Sequence, residues 1–141
     1  LTNHYHLLGL VDAQGVHIED FDADFAAIRE EIGDDKTLGA SATNVESLLR
    51  VQATGAVDYC GYGPFAHTDT KPNNKPLLGF DGYRQLGKYT VDIPVIAVGG
   101  IQLSDVEPLM HTPIHGIAVS AAVNLAIDPA AALREFYRKI Y

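Results

Sequence analysis

The chain has 141 residues, 47% hydrophobic and 20% charged, an ordinary composition for one globular domain with a real core. Its formal net charge of −8, with no visible basic patch, argues against nonspecific nucleic-acid binding, and no run approaches the ~18 apolar residues of a membrane span. A single cysteine, Cys60, excludes an intrachain disulfide framework and fits a reducing compartment such as the cytoplasm. It lies in an apolar run and reads as a buried core thiol. The chain opens on Leu1 rather than Met, with no signal-peptide pattern, so its natural start is expected to lie upstream.

In chain order, 5–11 fits a short helix that ends near Gly15. His4 and His6 have strand spacing and invite a metal reading, but no third ligand stands at a sensible distance. Residues 15–18 read as a buried strand, and 21–32 as an amphipathic helix with Phe25, Ile28 and Ile32 on one stripe, capped by Asp22 or Asp24 and stopped by Gly33. Residues 37–41 are the next strand. Thr43 and Glu46 have capping-box spacing and open a helix that ends at Gly55. A strand over 57–63 follows, then a polar loop in which 71–76 is rich in turn formers, and a helix over 81–89. The β-branched run 93–98 implies a strand buried on both faces, hence a parallel sheet. Ser104 and Glu107 open a short helix that tolerates Pro108 near its first turn. Residues 115–120 are the last strand, and Asp128-Pro129 opens the closing helix.

Strand and helix thus alternate about five times, the rhythm of a parallel α/β fold. The chemistry gathers in two places. After Gly61 and Gly63 comes a loop with two hydroxyls and an ammonium, Thr68, Thr70 and Lys71, the donors an oxyanion such as phosphate needs. Further on, Ala97-Val-Gly-Gly-Ile101 follows an apolar run in the same rhythm, where turn glycines bring backbone N–H groups close to an anion.

The strings Gly61-x-Gly63-Pro64, Thr68-x-Thr70-Lys71 and Ile93-Pro-Val-Ile-Ala-Val-Gly-Gly-Ile101 together resemble the thiamine phosphate synthase family, including its thiazole tautomerase relatives. The resemblance runs from Leu1 to the C-terminus. It implies an α/β (β/α)8 TIM barrel, seen here without its first two to three strands, with 1–141 a single domain forming the C-terminal two-thirds of the barrel. Residues 93–98 would then be strand seven and 115–120 strand eight. It further implies a transferase that couples hydroxymethylpyrimidine diphosphate to thiazole phosphate with Mg²⁺, releasing pyrophosphate. By the same resemblance Lys71 and Ser41 are the catalytic candidates. Thr68, Thr70, Gly99, Gly100, Ser120 and Ala121 are the phosphate-binding ones, and Asp22 the metal ligand, although as a helix cap it would look the same. His17 reads as structural.

This sequence departs from the family pattern at several points. The metal-binding Asn-Asp pair corresponds to Thr2-Asn3 or Asn3-His4, without a carboxylate. Ala121 replaces a serine beside Ser120. The Gln and basic residues that bind diphosphate fall outside the chain, and Thr43 stands where tautomerases carry His. The other departures weaken the synthase reading and leave a thiazole tautomerase, or a barrel that binds thiazole phosphate without coupling anything, as the alternative; Thr43 argues against the tautomerase, and the retained Thr-x-Thr-Lys string favours the synthase. The partners implied are small phosphate esters, with neither nucleic acid nor membrane; self-association is left open.

Overall fold

The structure, a computed structural model, describes residues 1–70 and 74–141. Five strands form one parallel sheet in the order β1-β2-β3-β4-β5: β1 Gly15–Ile18, β2 Thr37–Ala42, β3 Tyr59–Tyr62, β4 Val95–Val98 and β5 Gly116–Ala118. Between them run α1 Phe25–Ile32, α2 Val45–Ala53, α3 Gly79–Arg84 and α4 Val106–Met110; α5 Ala121–Asn124 and α6 Pro129–Ile140 close the chain. Beyond β1, Thr2 makes one further parallel bridge, to His17. Sequential parallel strands joined by helices make an α/β fold of the TIM-barrel type.

Alternation along each strand divides the sheet into two faces. One carries Leu38, Ala40 and Ala42 of β2, Cys60 and Tyr62 of β3, and Val95 and Ala97 of β4, all at most 1% exposed. These residues pack in a core that includes Phe25 and Ile28 of α1 and Leu48 and Val51 of α2. Burial raises the pKa of the Cys60 thiol to about 12. It also raises that of the Tyr83 phenol, whose hydroxyl donates to the Tyr62 carbonyl at 2.5 Å. The opposite face carries His17, Gly39, Ser41, Tyr59, Gly61 and Val98.

Polar side chains pin the N-terminal ends of the strands. Asp58 accepts from the Leu38 N–H and from Arg29 at 2.7 Å each, while Arg29 also donates to the Gly33, Lys36 and Ala56 carbonyls. Gln52 accepts from the Asp92 and Ile93 N–H groups and donates to the Thr90 carbonyl, which fixes the entry to β4. That end of the sheet is closed by structural hydrogen bonds, which leaves the C-terminal ends for loops that can carry function.

Several local expectations shift by a few residues. α1 starts at Phe25, not 21, because the Asp20 carboxylate takes the Asp22 N–H in a local turn that competes with helix; Asp24 is the cap. α2 is opened by Asn44 and Ser47, not by Thr43 and Glu46. Residues 81–89 divide into α3 and a tighter 3-10 turn over Gln85–Lys88. The turn before α4 is boxed by Gln102 and Asp105 rather than opened by Ser104. At the start of the chain only Tyr5–Leu7 is helical, as a 3-10 turn. The His4 and His6 rings stand edge to face at 5.8 Å, and among the described residues no three His, Cys, Asp or Glu groups gather as metal ligands.

Candidate active site

The strands β2 to β5 end around one cavity of about 960 Å³. Each contributes through its last residues or the loop that follows. Ser41 comes from β2; Gly61, Gly63 and the hydroxyls of Thr68 and Thr70 from β3 and its loop. Gly99 and Gly100 come from the turn after β4, and Ser120 and Ala121 from the junction of β5 and α5. Every phosphate-binding candidate read from the sequence therefore lines one mouth. Lys71 lies outside the described residues, as does the start of the 71–76 stretch.

The two glycines after β4 do more than turn the chain. Gly99 and Gly100 have φ of +94° and +69°. A Cβ on Gly99 would lie 2.8 Å from the Pro64 Cβ, and one on Gly100 would strike the carbonyl oxygens of His67 and Ala66. The loop after β3 lies directly on this turn, held by Phe65 N–H to Val98 O at 2.8 Å and Ala66 N–H to Gly99 O at 3.0 Å. Only glycine lets the two loops approach so closely while both face the cavity. Thr68 Oγ1 accepts from the Thr70 N–H at 3.2 Å, and Asn124 Nδ2 reaches Ser120 Oγ at 3.3 Å. The exposed His67 and Asp69 pair at 3.0 Å on the rim.

Asp22 is placed elsewhere. It is exposed and lines a smaller depression of about 220 Å³ beside Arg50 and Thr54, not the mouth. Asn3, which with His4 is one of the two positions the resemblance matches to the family's metal carboxylate, accepts the Glu19 N–H on its Oδ1 at 2.7 Å. Among the described residues the protein thus assembles no cage for Mg²⁺.

Two residues of the inner face gain a role that their sequence context hides. His17 lies 2.9 Å from Ser41 Oγ through Nε2 and 3.0 Å from Tyr59 Oη through Nδ1. Alternation placed His17 opposite Val16 and Ile18, on the same face as Ser41, and was the available signal.

The sheet and this mouth define a barrel-type α/β protein, with hydroxyls and glycine turns gathered at the C-terminal ends of its strands as in phosphate-handling barrels. A family model described as thiamine monophosphate synthase matches residues 1–123, and the chain belongs to that family. Relatives include the thiamine-phosphate synthases of Flavobacterium johnsoniae, 33% identical over 100% of this chain and 68% of the relative, and of Bacteroides fragilis, 37% identical over 92% and 65%. The thiamine phosphate pyrophosphorylase of Pyrococcus furiosus superposes with a TM-score of 0.84 at 30% identity, over 99% of this chain and 65% of that one. A 3-hexulose-6-phosphate synthase, at 16% identity and a TM-score of 0.69, shares the fold alone. The chain spans about two thirds of the length of the curated relatives it matches.

Proposed function

We propose that the protein works as a thiamine phosphate synthase of the cytoplasm, joining hydroxymethylpyrimidine diphosphate to thiazole phosphate. The observation that carries this reading is the convergence of Ser41, Thr68, Thr70, Gly99, Gly100 and Ser120 on one cavity in a member of this family. In the reaction the bond from the pyrimidine methylene carbon to the diphosphate oxygen breaks, and its electron pair leaves with pyrophosphate. The thiazole nitrogen supplies the pair for the new carbon–nitrogen bond. Charge therefore grows on the departing oxygens, and fixed donors aimed at them lower the barrier. Ser41, Thr68 and Thr70 offer hydroxyl protons; the backbone around Gly99, Gly100, Ser120 and Ala121 holds the second phosphate. Lys71, by its place in the Thr-x-Thr-Lys string, is the residue the family resemblance assigns to the leaving group. Mg²⁺ would supply positive charge against that of the leaving group; Asp22, the ligand the family resemblance implies, would have to reach it from the smaller depression outside the mouth.

The test is an assay of thiamine phosphate formation with both precursors and Mg²⁺. Lys71→Ala is expected to lower turnover by about 10²–10³ while leaving the affinity for thiazole phosphate nearly unchanged, because the lost interaction strengthens in the transition state. A wild-type protein that binds thiazole phosphate yet forms no product supports the second reading, a tautomerase or a non-coupling binder. The want of a carboxylate at Thr2-Asn3 or Asn3-His4, whichever matches the family's Asn-Asp pair, favours that reading over a synthase.

A further inference from the structure

His17 on β1 reaches across the inner face and meets hydroxyls from two other strands, Tyr59 on β3 and Ser41 on β2. The His17 and Tyr59 rings stack, centroids 5.5 Å apart and planes 29° from parallel. Two glycines make room for them. A Cβ on Gly39, the register partner of both His17 and Tyr59, would run into the Tyr59 ring; one on Gly61, opposite Ser41, would lie 3.3 Å from His17 Cε1. Of the three linked side chains, Ser41 lines the mouth and the two rings do not.

The direction of the chain follows from donor and acceptor arithmetic. A neutral imidazole has one N–H and one lone pair, so it donates to one hydroxyl and accepts from the other. Burial, with a smaller push from the neighbouring Cys60, raises the Tyr59 pKa, so the phenol keeps its proton. Among the described residues that hydroxyl has one hydrogen-bond partner, His17 Nδ1. If Tyr59 donates to Nδ1, the ring proton sits on Nε2 and is donated to Ser41 Oγ. The proton of Ser41 then points into the mouth. In the reverse order Ser41 spends its proton on His17, and only its lone pairs face the cavity, where they would repel an anion.

We infer that Tyr59 and His17 are positioning residues that fix the Ser41 hydroxyl as a donor toward an anionic phosphate or diphosphate oxygen in the mouth. The anion rests on the function proposed above; the proton order does not.

Two measurements separate them. Long-range ¹H–¹⁵N correlation on histidine-labelled protein, with His17→Asn to assign the signal, is expected to show the Nε2–H tautomer at His17. An Nδ1–H tautomer overturns the inference whatever the activity. Titration with inorganic pyrophosphate is expected to bind about three- to tenfold more weakly to Tyr59→Phe and to Ser41→Ala, the loss of one hydrogen bond in each case. The double variant should bind no more weakly than Ser41→Ala alone, because Tyr59 acts through Ser41. Equal weakening by Tyr59→Phe in both backgrounds, as a general structural effect would give, overturns the inference. Wild-type protein that binds no pyrophosphate refutes the anion role of Ser41 and the phosphate reading of the mouth, while the tautomer still decides the proton order.

Discussion

Gly100→Ala tests whether close packing of two loops shapes the mouth. The added methyl meets two costs. At φ +69° a residue with a Cβ sits in the left-handed region, at about 1–2 kcal/mol. The methyl also strikes the His67 and Ala66 carbonyl oxygens, backbone atoms that cannot swing aside as a side chain would. Overpacking of that kind typically adds about 1–3 kcal/mol, for a total on the order of 2–5. Gly55 supplies the control: its φ is +64°, yet nothing lies within 4 Å of its added Cβ, so Gly55→Ala meets only the backbone cost. Urea unfolding of wild type and both variants reads the difference; at a slope of about 1–3 kcal/mol per molar, 3 kcal/mol moves the midpoint by ~1–3 M. Pyrophosphate affinity should fall for Gly100→Ala and hold for Gly55→Ala. Equal destabilisation of the two, or undiminished affinity in Gly100→Ala, would show that the contact between the loops does not shape the site.

The Cys60 thiol, raised by burial from an ordinary 9.0 to about 12, predicts that alkylation at pH 8 follows unfolding rather than thiol chemistry. The folded state holds this proton more tightly than the unfolded state, so stability is flat below about pH 8 and falls between about 9 and 12. The slope from this group reaches ~1.4 kcal/mol per pH unit, and Cys60→Ala should remove it; Tyr59, Tyr62 and Tyr83, all raised, add the same sign above pH 10. Asn44→Ala removes the acceptor of the Ser47 N–H at 2.8 Å and should cost about 1 kcal/mol in denaturant unfolding. Glu46→Ala, outside the box, should stay within about 0.5 kcal/mol.

The strands were legible because each is a short apolar run bounded by turn formers, and their parallel order followed from the helices between them. Their ends were not. Ile93 continues the β-branched pattern, but β4 begins only at Val95, after Pro94, which has no N–H to pair. β5 begins after His115, whose backbone N–H donates to the Val95 carbonyl while its side-chain Nδ1, rather than a β5 carbonyl, accepts the Val95 N–H. The cap of α2 moved by one residue because β2 runs on to Ala42, which sets the phase of the turn that follows. Thr68, Thr70, Gly99 and Gly100 could be picked out because donors and glycines cluster along the chain. The contact of His17 with Ser41 and Tyr59 could not, since the partners lie 24 and 42 residues away and meet only when three strands pair in register. Asp22 read equally well as cap or ligand; Asp24 took the cap, and the local turn at Asp20 turned the segment toward the smaller depression.

The unbroken β1-to-β5 order also governs what elaborating the site costs the fold. Neighbouring strands pair residues about twenty apart, as with Gly39 and Tyr59 or Ile96 and Gly116. The step from β3 to β4 is the exception: Cys60 meets Val95 across 35 residues, and the surplus includes the loop after Pro64 that carries Thr68 and Thr70. Closing a loop becomes dearer only as the logarithm of its length, so this excess costs about 0.5 kcal/mol. Each ladder is completed by adjacent stretches of chain, and the sheet can grow strand by strand without waiting for distant partners. A long functional segment therefore sits between two otherwise local steps as a nearly weightless insertion, and its length can be tuned without renegotiating the register of any other strand.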